Sequence, residues 1–203
     1  MKKYLDRSMN YGEYVSLIDR LLAENKTTGS NRSETMVHYG RLNRQRMARL
    51  DKTIVLNDDV RKIVSQNTRR QIWLVLTEGW CGDAAQNIPA IEKTASASDL
   101  IETRYILRDE NLELMDDYLT EGARSIPKLI AVDVDTLEVL FTWGARPAVA
   151  QAFFKQRKAE GVEKSLITEE LQRWYNADHG VSVQCELAAL VASAQTTAAA
   201  ATN

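Results

Sequence analysis

The feature that most constrains the fold of this 203-residue chain is an apolar run followed at once by a cysteine-containing turn. Residues 72–77 read Ile-Trp-Leu-Val-Leu-Thr. This run has the length of a strand and the continuous hydrophobicity of one buried in a parallel sheet. The turn Gly79-Trp80-Cys81-Gly82-Asp83 follows, and a helical pattern then continues to about Thr94. A thiol at the start of a helix lies where unpaired N–H groups and the helix dipole stabilise a thiolate. The pattern therefore predicts an α/β fold with Cys81 as a candidate nucleophile.

The segments around this turn predict a mixed sheet flanked by helices. After the first strand and its helix, the pattern predicts a strand at 101–107, a short helix ended by Gly122, a hairpin of strands at 126–133 and 137–143, and a helix at 148–158 that Pro147 opens. The predicted order is β-α-β-α-β-β-α, with parallel and antiparallel pairs in one sheet.

Helical additions are predicted on both sides of this core. We predict helices at 11–24, at 31–50 with a capping box of Asn31 and Glu34, at about 58–64 after a cap at Asn57 or Asp58, at 165–176 and at 183–194, together with a short strand at 53–56 and a flexible tail at 198–203. The predicted division is an N-terminal helical extension at 1–52, a core domain at 53–160 and a C-terminal helical extension with a flexible tail at 161–203.

Composition excludes several functional classes. Twenty-six Lys and Arg against 28 Asp and Glu give a net charge of −2, which argues against general nucleic-acid binding. The basic cluster between Arg41 and Lys52 is interpreted as the solvated face of a helix. Two cysteines make neither a disulfide framework nor a four-thiolate zinc site, so we expect no metal and no cofactor. No apolar run has the length of a membrane span, so we expect no membrane partner and a cytoplasmic protein.

The segment around Cys81 resembles the active site of the thioredoxin-like superfamily. Trp80-Cys81-Gly82-Asp83-Ala84, with Pro89 eight residues after the cysteine, is similar to the Trp-Cys-Gly-Pro-Cys segment and its helix-kinking proline. Ser125-Ile126-Pro127 resembles the cis-proline loop that faces the active-site cysteine in that superfamily. The resemblance covers roughly residues 53–160 and implies a thioredoxin-like fold. Longer stretches also look like a group of bacterial thioredoxin family proteins of unsettled function.

Two departures from the superfamily pattern limit what the resemblance implies. Ala84 occupies the place of the resolving cysteine, which a dithiol reductase needs to release a mixed disulfide. Asp83 replaces the proline between the two cysteines, and its carboxylate is expected to raise the pKa of Cys81 against the effect of the helix terminus. The sequence does not decide which of these two effects is larger. Cys185 could serve as resolver only within disulfide reach, and we interpret it as a packing residue of a C-terminal helix.

Three functional hypotheses remain open. In the first, Cys81 is a monothiol nucleophile or redox-responsive thiol that exchanges with a low-molecular-weight thiol or a protein thiol or disulfide. Trp80 would then form an apolar wall, Ile126 and Pro127 the substrate-facing loop, and Asp83 would tune the thiol, with Gly82 and Ala84 as neighbours. In the second, the fold is a non-catalytic module that binds a peptide or protein. The third, a shared iron–sulfur cluster as in single-cysteine glutaredoxins, fits least, because Ala84 stands where their motif has serine. The sequence leaves the oligomeric state open.

Overall fold

A computed structural model of the chain describes residues 1–31 and 33–201, with side chains up to Thr196. The helices are α1 Lys2–Leu5, α2 Tyr11–Ala23, α3 Glu34–Thr53, α4 Asp58–Ser65, α5 Gly82–Ala95, α6 Leu112–Asp116, α7 Ala148–Ala159, α8 Lys164–Asp178 and α9 Val181–Ala201. The strands are β1 Gln71–Thr77, β2 Ile101–Leu107, β3 Lys128–Asp133 and β4 Val139–Gly144.

The four strands form one mixed sheet in the order β2-β1-β3-β4. The central strand β1 pairs in parallel with β2 and antiparallel with β3, which in turn pairs antiparallel with β4. Six of the seven residues of β1 are buried, because helices cover both faces of the sheet there. The predicted thioredoxin-like α/β fold, with added helices at both ends, is confirmed.

The start of α3 and the segment after it differ from the prediction. Ser33, not Asn31, caps α3, since its hydroxyl accepts a hydrogen bond from the backbone N–H of Met36 (3.4 Å). Residues 54–57 form no strand. Their backbone is bound by a side chain of α9 instead: Gln184 donates to the carbonyl of Val55 and accepts from the N–H of Asn57. The predicted strand at 53–56 is therefore wrong.

The terminal helices share the core of the sheet. Tyr14 and Ile18 of α2, Met47 of α3 and Leu187 of α9 are at most 3% exposed and belong to the same apolar cluster as β1. Full burial of a side chain of this size stabilises the folded state by about 1.5–3 kcal/mol. The added helices thus stabilise the sheet directly, and the division of the chain into three parts stays a prediction.

A second, smaller apolar cluster joins α7 to α8. It is built from Ala150, Ile167, Leu171 and Tyr175, with Phe154 packed beside them. This cluster places Tyr175 of α8 next to the first turns of α5. The predicted flexible tail at 198–203 falls on residues whose side chains, and in part whose backbone, lie outside the described part of the chain. Of the helices that are described, none is both long and apolar enough to cross a membrane.

Candidate active site

Cys81 lies at the junction of β1 and α5, as the residue that caps the helix. Its backbone is extended (φ −80°, ψ 117°), and its sulfur accepts a hydrogen bond from the N–H of Ala84 at 3.4 Å. The thiol in turn donates to the carbonyl oxygen of Ile126 at 3.3 Å. The residue is 8% exposed. The sulfur therefore lies between the free N–H groups of a helix terminus and a backbone carbonyl of the loop before β3.

That loop reaches Cys81 because β3 pairs antiparallel with β1, with Lys128 opposite Leu76. The Ile126–Pro127 peptide bond is cis, the isomer that the resemblance implies. Gly144 holds the loop from the other side at φ +118°, and a Cβ there would lie 2.1 Å from the carbonyl oxygen of Pro127. Only glycine allows this close approach of two backbones.

The environment keeps Cys81 protonated at neutral pH. Burial raises the pKa of the Cys81 thiol to about 12, and the negative charge of Asp83 adds to this effect. The N–H groups of Ala84 and Asp83 and the positive charge of Arg146 act in the opposite direction but do not offset it. The net shift opposes the thiolate, and the loss of solvent, which the sequence does not show, contributes most to it.

Asp83 is held by residues from two other parts of the chain. Its Oδ2 forms an ion pair with the guanidinium of Arg146 at 2.6 Å, and the two side chains are only 14% and 16% exposed. Its Oδ1 accepts a hydrogen bond from the hydroxyl of Tyr175 at 2.9 Å. The helix α8 of the C-terminal extension is thus part of the site.

Asn87, one turn further along α5, extends this network. Its amide donates to the carbonyl of Ala145 (3.2 Å) and to the hydroxyl of Tyr175 (3.3 Å). Within the described part of the chain, its Oδ1 and the Nε of Arg146 are buried without a hydrogen-bond partner. Sequence reasoning gave Asn87, Arg146 and Tyr175 no role in the site. For Arg146 the sequence offered one signal, since the stretch Gly144-Ala-Arg-Pro147 is one of those that resemble the bacterial group.

Trp80 lies half-buried on the other side of the thiol turn. The guanidinium of Arg108 stacks 5.0 Å from the centre of its ring and also pairs with the carboxylate of Asp109 at 2.6 Å. The loop after β2, at residues 108–110, is therefore salt-bridged, and it borders the site through Trp80.

Glu78 is a buried carboxyl three residues before the cysteine. It is fully buried, and its Oε1 accepts a hydrogen bond from the N–H of Asp109 at 2.9 Å. Burial raises the pKa of Glu78 to about 7, although hydrogen bonds lower it in part. The N-terminal extension holds this turn, since Thr28 accepts from the N–H of Gly79 and Asn43 donates to its carbonyl. From the sequence, Glu78 is a nearby candidate for the proton-transfer carboxylate that the resemblance implies on the preceding strand, although it does not match that position.

The structure brings most of the predicted site residues together. Gly82 opens α5, and Ala84, 2% exposed, occupies the place of a resolving cysteine. Cys185 differs from its prediction: it is exposed on α9, so its interpretation as a packing residue is wrong. Both cysteines are free thiols. No group of three or more His, Cys, Asp or Glu residues suited to a metal ion occurs among the described residues.

Comparisons with known proteins agree with this geometry. No curated protein sequence matches the chain. A crystal structure of a protein of unknown function from Pseudomonas aeruginosa superimposes with a TM-score of 0.65, at 15% identity over 94% of this chain and 96% of the other. An HIV epitope scaffold superimposes with a TM-score of 0.57, at 18% identity over 90% of this chain and 98% of the other. These likenesses concern the fold. A family model described as thioredoxin (Thioredoxin_9) matches residues 29–160, which is more than half of the chain. The chain therefore belongs to the thioredoxin family.

Proposed function

We propose that this protein is a monothiol member of its family, in which Cys81 forms transient mixed disulfides with a low-molecular-weight or protein disulfide. The observation that carries the proposal is the position of the sulfur. It caps α5, accepts the N–H of Ala84 and faces the carbonyl that precedes cis-Pro127. A backbone beside the sulfur can pair with an extended substrate as an added strand does. A free thiol suits a reducing cytoplasm, which is where we propose that the protein works.

The exchange needs only one protein thiol. The Cys81 thiol loses its proton, and the thiolate attacks one sulfur of a disulfide RSSR. The S–S bond of RSSR breaks, Cys81–S–S–R forms, and the departing RS⁻ takes up a proton to become RSH. A second external thiol R′SH then attacks the mixed disulfide as its thiolate, which releases RSSR′ and restores Cys81. Ala84 cannot perform this second step, so the external thiol replaces the missing resolving cysteine.

Asp83 controls the first step. Its ion pair with Arg146 and its hydrogen bond from Tyr175 hold a negative charge beside a sulfur that is already buried. In this arrangement the thiol is protonated and shielded, so exchange requires the side chains around it to move apart. The site is therefore latent in the described conformation, and it becomes reactive when the thiol gains contact with solvent or substrate.

The same burial favours a second candidate, a non-catalytic module that binds a peptide or protein. A thiol whose pKa is raised to about 12 by burial has almost no thiolate at neutral pH. In that case Cys81 would be a packing residue and the cis-proline loop a binding surface.

An exchange assay separates the two candidates. The Cys185→Ser variant, which keeps only Cys81, is incubated with glutathione disulfide and analysed by intact mass spectrometry. We expect one glutathionyl adduct on Cys81, and its removal by excess glutathione. The Cys81→Ser variant, which keeps the exposed Cys185, measures background reaction. If Cys81 forms no adduct in the native protein while it reacts in the unfolded protein, the non-catalytic candidate replaces the proposal.

A further inference from the structure

A groove of about 600 Å³ runs between the two terminal extensions, with α3 on one side and α8 on the other. We call it the α3–α8 groove. Its residues include Tyr39, Leu42 and Arg46 of α3 and Lys164, Thr168 and Arg173 of α8. A volume of this size matches the usual range for small-molecule sites, about 300–1,000 Å³. The aromatic ring and the leucine provide an apolar wall, and the three cations provide charge.

The cation on the α3 side is incompletely neutralised. Arg46 is half-buried, and its partner is the neutral amide oxygen of Asn43 at 2.9 Å. Its neighbour on the same helix, Arg44, pairs with Asp19 at 2.8 Å. Among the described residues, Arg46 has no carboxylate within 4 Å. A half-buried guanidinium without an anion is costly, so an anionic ligand that binds it gains more than it would from an exposed cation.

The facing helix strengthens this positive character. Lys164 and Arg173 lie on α8 without an ion pair among the described residues, and Glu169 is the single acid in the wall of the groove. Three positive charges against one negative charge attract an anionic ligand. This charge does not come from the overall composition, since the chain has a net charge of −2.

The inner end of the groove lies next to the reactive turn. A Cβ built on Gly82 would lie 3.6 Å from the Nε2 of Gln172 and 3.8 Å from the Nη1 of Arg46. Gln172 is anchored to α5 by a hydrogen bond from Gln86 at 2.8 Å. Gly82 directly follows Cys81, so the side chains of Gln172 and Arg46, which line the groove, lie within van der Waals reach of the residue next to the thiol.

We propose that the α3–α8 groove binds the carboxylate-bearing part of an anionic low-molecular-weight thiol or disulfide, the external partner of Cys81. This inference rests on the proposed function and adds the chemical class of the partner and the surface that recognises it. The site is built by the terminal helices and not by the cis-proline loop. The carboxylates contact Arg46 and the cations of α8, and the thiol end points along Gly82 towards Cys81.

Binding can be tested without any thiol chemistry. The Cys81→Ser protein is titrated with S-methylglutathione, an anionic thioether that cannot exchange, by calorimetry and by ¹H–¹⁵N NMR. We expect saturable binding, with the largest shifts on α3, α8 and Gly82. Arg46→Gln should weaken binding roughly tenfold, because a charge-assisted contact is lost. Lys164→Gln should also weaken it. Lys52→Gln, which removes the same charge from α3 outside the groove, should leave affinity unchanged.

The diethyl ester of the probe, which lacks the carboxylate charges, should bind at least tenfold more weakly. Equal losses for Arg46→Gln and Lys52→Gln, or shifts confined to the residues around Pro127, would overturn the proposal. An acidic peptide that binds the groove while S-methylglutathione does not would also overturn it. Because Cys81→Ser cannot exchange, failure of the monothiol function leaves this binding result unaffected, and the two failures are distinguishable.

Discussion

Replacing Asp83 by asparagine is the most informative single perturbation of the site. The change keeps the size of the side chain and an oxygen that can accept the hydrogen bond from Tyr175. It removes the negative charge that, after burial, contributes most to the raised pKa of Cys81. The positive charge of Arg146, which lowers this pKa, then acts unopposed. We therefore expect the pKa of Cys81 to fall from about 12 towards the ordinary range of a thiol.

The size of the effect follows from simple electrostatics. At a separation of several ångströms, a carboxylate and a thiolate repel by about 2 kcal/mol at an effective dielectric constant of about 20. One pKa unit corresponds to about 1.4 kcal/mol, so the thiolate fraction at neutral pH should rise by about ten- to fifty-fold. The same change leaves the largely buried guanidinium of Arg146 without its anion. The free energy of unfolding should therefore fall by about 3 kcal/mol.

The rate of alkylation by iodoacetamide against pH measures both parts of the site. The Cys185→Ser background removes the exposed thiol, and Asp59→Asn on α4, an exposed residue, is the matched charge control. A lowered pKa moves the midpoint of the rate profile to lower pH, whereas easier opening raises the rate at every pH without moving the midpoint. If the midpoint of Asp83→Asn coincides with those of the parent and of Asp59→Asn, Asp83 does not tune the thiol, and the electrostatic argument fails.

Three further variants test other parts of the account. Burial raises the pKa of Glu78 from 4.5 to about 7, so the folded state binds more protons than the unfolded state in this pH range. The stability that this gives below pH 4.5 is therefore lost as the pH rises to about 7. In denaturant titrations, Glu78→Gln should remove a fall of roughly 3 kcal/mol in the free energy of unfolding over this range, and an unchanged pH dependence would contradict the prediction. Ala84→Cys should gain catalytic reduction of insulin by dithiothreitol over the background rate expected of the parent protein, and turnover by the parent itself would point to another resolving thiol. Gly144→Ala should lower the free energy of unfolding by about 3 kcal/mol or more, because its Cβ would lie 2.1 Å from the carbonyl oxygen of Pro127. The control Gly122→Ala, which has open space around it, should lower the free energy of unfolding by about 1 kcal/mol. Equal losses would refute the close-approach argument.

The parts of the fold that sequence could predict are those set by local pattern. The apolar run of β1 reads as a buried strand because both faces of it are covered, and the cysteine turn marks the start of α5. The hairpin of β3 and β4 and the helix after Pro147 follow equally from local signals. That Ile126 faces Cys81 came from the resemblance to the superfamily and not from these local signals.

The errors arise where distant segments decide the structure. Residues 53–56 have a strand-like pattern, yet Gln184 of α9 binds the carbonyl of Val55 and the N–H of Asn57, which no local pattern reveals. Cys185 was interpreted as a packing residue, but the buried stripe of α9 runs through Val183, Leu187 and Val191. Their spacing of four residues leaves position 185 on the exposed face.

The network around Asp83 could not be predicted from the sequence for the same reason. The hydroxyl of Tyr175 binds Asp83 across 92 positions of the chain, and the packing of α8 on α7 holds Tyr175 there. The charge state of the thiol depends on tertiary structure in the same way. Sequence could name the opposing effects of Asp83 and the helix terminus, but not the loss of solvent that decides between them.

The central claim, that Cys81 is a working monothiol, is tested most directly by its state inside cells. Cells that carry the chain are exposed to a disulfide stress and quenched in acid, free thiols are alkylated, and Cys81 peptides are analysed by mass spectrometry. The account predicts that a mixed disulfide with an anionic low-molecular-weight thiol accumulates on Cys81 during the stress and disappears on recovery. A Cys81 that stays entirely in the free thiol form, while the exposed Cys185 of the same molecules is modified, would contradict it.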